Sequence, residues 1–185
     1  MMRQLDHFLY SALEGFEYVA MPYQSEGMAE WEMELILLPK VGAHENAASV
    51  DCLPVVAQDL RRSAEERRLD LGVPRFKTSM RWDVRDTMEK MGITAPFSNF
   101  ADFSGISEMP LKIQKVFQEC CIDVTEEGTE GAAATAVGFS LLSIREPQEP
   151  ISVVFDRPFY FTVREKYSGT ILFFGLIENP SSSSK

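Results

Sequence analysis

The side chains that could do chemistry are few, and they do not converge on catalysis. His7 and His44 are the two histidines, and no Gly-x-Ser-x-Gly elbow or Cys–His spacing accompanies them, so a nucleophile would lack its base. No Cys-x-x-Cys or His-x-x-x-His pattern offers metal ligands, and no glycine loop before a helix is set to cradle phosphate. No enzyme activity and no cofactor are expected. The segment Glu126–Ser143 carries a different chemistry. At a period of two, Thr129, Gly131, Ala133, Thr135, Val137 and Phe139 share one face without a charge. Glu130, Ala132, Ala134, Ala136 and Gly138 share the other. Such a segment can be a loop in one state and a strand in another, with its uncharged face buried and Glu130 left in water. The composition by itself also reads as a flexible Gly/Ala linker.

The flanks favour the special reading. Glu126-Glu127-Gly128-Thr129-Glu130 followed by small residues resembles the reactive-centre hinge of the serpins. Phe155-Asp156-Arg157-Pro158-Phe159-Tyr160-Phe161 and Phe174-Gly175-Leu176-Ile177-Glu178-Asn179-Pro180 resemble that family's closing strands. Met91–Ser98 and Ala101–Ser107 resemble its turn segment. The match is ordered and runs from Met1 to Pro180.

The resemblance implies an α+β, multi-sheet serpin-like fold with an exposed reactive-centre loop at about residues 126–150 and a disordered tail at 181–185. Met1-Met2-Arg3-Gln4 resembles an internal serpin segment, so the expectation is the C-terminal portion of the fold without its N-terminal half. The implied function is inhibition of a serine protease, in which the cleaved loop enters the main sheet, a recognised form of strand addition. Small side chains at Gly131, Ala132, Ala133, Ala134 and Thr135 would let the loop slot between strands without overpacking. Family spacing puts the scissile bond at Leu142-Ser143, which suits a chymotrypsin-like or elastase-like protease with an apolar primary pocket. The segment between Ser143 and Phe155 looks long for the family. If the extra length precedes the bond, Arg145-Glu146 becomes the bait and a trypsin-like protease the target. By the same resemblance Arg75 would pair with Glu126. Gln118 stands where the family usually has a histidine that latches the main sheet. The alternative is a non-inhibitory binding or chaperone serpin. Family resemblance implies an extracellular protein; the alternative compartment is the cytoplasm.

Composition agrees with one globular domain. The 185 residues are 45% hydrophobic and 25% charged, ordinary for such a chain. A net charge of -10 argues against nucleic acid or an anionic membrane as partner. No apolar run approaches the length of a membrane-spanning helix. Cys52, Cys120 and Cys121 make no disulfide framework and are expected as buried thiols.

The elements that must position the hinge are legible as patterns. Two apolar runs around Glu14-Gly15 predict a hairpin. In Met28–Leu38, Ala29, Trp31, Met33, Leu35 and Leu37 alternate with Glu30, Glu32 and Glu34, predicting a strand with one wet face. Val55, Val56 and Leu60 with Pro54 predict a helix, extended by Arg61–Glu65 and Arg62–Glu66 pairs at i, i+4. Arg61, Arg62, Arg67 and Arg68 could hold a polyanion, although the interleaved glutamates point to a solvated helix face. Leu69, Leu71 and Val73 predict a strand carrying Pro74-Arg75-Phe76, in which the proline marks an edge position or a strand end. A short helix spans Val84, Met88 and Met91, capped by Asp83 and stopped by Gly92. Leu111–Thr125 reads as a long strand inside a covered sheet. Ile151–Phe155, Phe159–Val163 and Gly169–Ile177 complete the strands.

Overall fold

Glu14 and Gly15 take φ values of +49° and +85°, the two-residue turn geometry that matches strand twist. They join β1 (Met2–Leu13) to β2 (Phe16–Pro22), with Leu13 opposite Phe16, the hairpin expected from the sequence. The computed structural model describes residues 1–23, 30–40, 53–125 and 149–180. The remaining elements are β3 (Trp31–Leu37), α1 (Leu53–Ser63), β4 (Glu65–Val73), β5 (Phe76–Asp83), α2 (Arg85–Lys90), β6 (Phe117–Val124), β7 (Ile151–Val154), β8 (Phe159–Glu165) and β9 (Ile171–Ile177). Two units result, Met1–Phe76 with Val124–Lys185, and Lys77–Asp123.

The first unit is a seven-stranded sheet in the order β7-β4-β1-β2-β3-β8-β9. All neighbours are antiparallel except β4 and β7, which run parallel. The central strands are covered on both faces. On one face Leu35 and Leu37 lie opposite Phe161 and Phe159, and Phe76 packs its ring 5.8 Å from Phe159 and 5.3 Å from Phe161. On the other, α1 sets Leu53, Ala57 and Leu60 against Phe16, Tyr18, Ala20, Ile36 and Tyr160. Leu60 is fully buried, a contribution of about 1.5–3 kcal/mol.

That covering helix overturns two expectations. The face carrying Glu32 and Glu34 is not wet: both are buried, Glu34 almost completely, because α1 and β8 close over it with Arg61 and Arg164. The helix also stops at Ser63, so Glu65 and Glu66 begin β4 and the two i, i+4 pairs do not form. Its end is sealed locally: Ser11 Oγ donates to Leu60 O at 2.7 Å, and Ser63 Oγ donates to Asp59 O at 3.0 Å, satisfying carbonyls that a helix terminus leaves open. Val55, expected on the apolar face, points outward.

In the second unit, α2 has Val84 as its N-cap residue. Asp83, expected as the cap, is instead the last residue of β5, one position outside the helix, where its Oδ1 accepts from Arg85 N at 3.1 Å. Gly92, at φ +92°, terminates the helix. β6 is shorter than the expected Leu111–Thr125 strand and pairs with β5 in a two-stranded sheet. It is not covered among the described residues: Val116, Cys120, Ile122 and Val124 are half-buried, whereas Leu111 and Phe117 are exposed. A two-stranded ribbon lacks the layers that would bury both faces. The expectation of buried thiols fails for the same reason, with Cys120 half-buried and Cys121 exposed. Cys52 and the tail 181–185 lie outside the described residues.

Candidate functional site

In chain order β6 precedes and β7 follows the segment expected as the hinge, and the two strands belong to different sheets. Each anchor has its own fastening. At the start of β6, the Asp83 carboxylate accepts from Val116 N at 3.2 Å as well as from Arg85 N, and Val84 N donates to Val116 O at 2.8 Å. Those two backbone donors hold the Asp83 carboxyl below the usual range. Arg85 donates to Gln114 O at 2.9 Å and lies 5.3 Å from the centre of the Phe97 ring. Near the end of β6, Asp123 pairs with Lys77 at 2.8 Å.

β7 runs beside β4, with Leu69 opposite Ile151 and Gly72 opposite Val154. Phe155 N donates to Gly72 O at 2.8 Å. The Phe155 side chain is fully buried, 5.2 Å from the Phe159 ring. At Gly72 a Cβ would meet a Val154 methyl at 3.5 Å, an ordinary contact, and the flexible Met1 sulfur at 3.3 Å. Arg157 then fixes the exit. Its Nε donates to Leu38 O at 2.6 Å and its Nη2 to Glu17 Oε1 at 3.1 Å. The downstream end is thus tied to the sheet by backbone, ring and guanidinium contacts.

Of the residues singled out in the sequence, Arg75 is exposed in the two-residue connection between β4 and β5, after the buried Pro74. Its expected partner Glu126 lies outside the described residues, as do Glu127 to Thr135, Leu142, Ser143, Arg145 and Glu146. Gln118 is exposed on β6. The four-arginine group does not form one surface. Arg61 turns inward to Glu34, and Arg67 pairs with Glu65 at 2.6 Å. Arg67 and Arg68 are successive residues of β4 and so point to opposite faces.

A buried ionic cluster escaped the sequence reading. Arg61 Nε and Nη2 donate to the two oxygens of Glu34 at 2.5 and 2.6 Å. Tyr18 Oη donates to Glu34 Oε1 at 2.8 Å, and Arg164 Nη1 at 3.2 Å. Glu32 lies 3.5 Å from Arg164 Nε. Burial and then the Glu34 charge push the Tyr18 hydroxyl far up, so it stays protonated and donates to Glu34. The one signal was Glu34 inside Met33-Glu34-Leu35-Ile36-Leu37-Leu38: a carboxylate in an apolar run needs a cation brought to it. The cluster pins α1 to β2, β3 and β8.

Among the described residues no group of His, Cys, Asp and Glu is gathered to hold a metal. No helix there is long and apolar enough to cross a membrane.

Comparison with known proteins follows this outline. The model of the family described as serpin (serine protease inhibitor) matches residues 1–180. Serpin-Z1C of Triticum aestivum is 34% identical over 99% of this chain and 47% of its own length. Serpin B4 of Homo sapiens is 30% identical over 97% of this chain and 46% of its own. A thyroxine-binding globulin in complex with thyroxine superposes with a TM-score of 0.69 at 26% identity, covering 98% of this chain and 46% of that one. The mouse protein-Z dependent protease inhibitor gives 0.68 at 26%, covering 97% and 45%. The chain therefore spans less than half the length of the relatives it matches, and the shared part is their C-terminal portion. With the fold, the family match and the relatives in agreement, this chain belongs to the serpin family.

Proposed function

We propose that this chain carries the reactive-centre portion of a serpin that inhibits a serine protease by loop cleavage and insertion. The observation that carries the reading is the uncharged face Thr129–Phe139 between two strands of different sheets. A segment so placed can gain ladder hydrogen bonds on entering a sheet without burying a charge. Leu142-Ser143 is the bond offered, to a chymotrypsin-like or elastase-like protease; Arg145-Glu146, with a trypsin-like protease, is the second choice. The activity is that of the whole fold, in an extracellular setting. Joining the N-terminal portion of the wheat relative to this chain and incubating it with chymotrypsin should yield a covalent complex that survives a denaturing gel. Clean cleavage at residues 142–143 without a complex would reject the inhibitory mechanism.

A second reading is a binding serpin that does not inhibit. Gln118, in place of the family's latch histidine, supports it, as does the likeness to a thyroxine-binding globulin. Cleavage without trapping is the outcome that would favour it.

A further inference from the structure

β6 is fastened to β5 at both ends. Val84 N donates to Val116 O at 2.8 Å, and Lys77 Nζ donates to Asp123 Oδ2 at 2.8 Å. As many residues separate Lys77 from Val84 as separate Val116 from Asp123, so one unbroken antiparallel register satisfies both contacts. The hydrogen bond to Asp123 lifts the Lys77 ammonium above its ordinary pKa. A one-residue slip would put Ile122 or Val124 opposite Lys77 instead, apolar side chains with no oxygen to accept. The pair therefore reports, and holds, the register of β6.

Resting on the inhibitory reading above, we propose that Lys77 is a positioning residue for loop insertion: by holding Asp123 opposite itself, it fixes the register in which the following segment enters a sheet. Asp123 lies three residues before Glu126, where the segment expected as the hinge begins. The chain from Asp123 to Thr129 has a fixed number of residues, so a displacement of β6 is passed on to the segment. Side chains alternate between faces, and a slip of one residue exchanges the uncharged face of Thr129 for the face that carries Glu130. Insertion would then take a carboxylate out of water without a partner. Lys77 acts on the reaction through Asp123, by keeping Glu130 on the wet side.

The test uses chymotrypsin and the chimera that joins the N-terminal portion of the wheat relative to this chain. Lys77→Glu sets a like charge opposite Asp123. It should raise the ratio of inhibitor consumed to protease trapped about two- to fivefold, with unchanged circular dichroism. Lys77→Arg should keep the parent ratio, and Lys77→Glu with Asp123→Lys should restore it. Loss of register has a signature that plain loosening of β6 lacks: the burial of Glu130 is what slows insertion, so adding Glu130→Ala to Lys77→Glu should reverse most of the rise. A parent chimera that forms no covalent complex rejects the loop-insertion reading, and the role of Lys77 with it. A parent that traps chymotrypsin while Lys77→Glu keeps the same ratio overturns the positioning role alone. A rise that neither Asp123→Lys nor Glu130→Ala reverses overturns it too, because the substitution then acts by loosening β6.

Discussion

Arg61 in the last turn of α1 grips Glu34 in the middle of β3 with two parallel hydrogen bonds, at 2.5 and 2.6 Å. The carboxylate is almost fully buried, whereas the Arg61 side chain keeps 34% of its exposure. Removing the cation leaves the anion stranded, although Arg164 at 3.2 Å compensates in part. Arg61→Ala should therefore destabilise the chain by about 3 kcal/mol, read as a lower urea midpoint. Arg62→Ala, one residue on and exposed, should change it by less than about 0.5 kcal/mol.

Glu32 makes stability depend on pH in the unusual direction. Burial, then the neighbouring Glu34 charge, raises its pKa above the ordinary 4.5, against the pull of Arg164, Lys166 and Arg61. Between the unfolded value and the raised folded value, the native state binds more protons, so this group's contribution improves as pH falls. Glu30, Glu165 and Asp83 are shifted down and act with the opposite sign. The isolating comparison is with Glu32→Gln. Wild type should gain stability relative to that variant as pH is lowered from 7 toward 4.5, measured by urea unfolding at each pH.

Gly175 has no room for a side chain. A Cβ there would lie 2.6 and 2.7 Å from two atoms of the Phe161 ring, which is itself buried against Phe76. Gly175→Ala should cost about 1–3 kcal/mol through forced repacking. Phe161→Leu in the same background should recover part of the loss in thermal unfolding.

Arg75 and Glu126 should be coupled only weakly. Arg75 is exposed, and exposed pairs are worth about 0.2–1 kcal/mol. A double-mutant cycle with Arg75→Ala and Glu126→Ala, read by the midpoint of urea unfolding, should return a coupling in that range. No coupling would leave Arg75 without its expected hinge role.

What the sequence makes legible is whatever depends on local pattern. The Glu14-Gly15 turn, the Leu69–Val73 alternation and the Asp83–Gly92 helix each announce themselves through neighbours in the chain, and each forms. What it hides depends on partners far away. Glu34 alternates like a surface residue but faces Arg61 and Arg164, 27 and 130 residues distant. Arg61 and Glu65 look like a helical pair because nothing local reveals that Ser63 closes α1. Leu111–Thr125 reads as a buried strand because its apolar residues are real, but only Phe117–Val124 finds a partner strand among the described residues. The expected hinge, residues 126–135, lies outside the described residues, so its reading stands on composition and spacing alone.

The inhibitory reading rests on Thr129 entering a sheet. In a chimera with the N-terminal portion of the wheat relative, the ratio of inhibitor consumed to protease trapped should be compared for Thr129→Arg, Glu130→Arg and the parent. Thr129→Arg buries a guanidinium without a partner, at a cost of several kcal/mol, so insertion slows, deacylation wins and the ratio should rise at least tenfold. Glu130→Arg keeps its charge in water and should leave the ratio within a factor of two. Equal ratios for Thr129→Arg and the parent would mean that the loop does not insert, and would contradict the account.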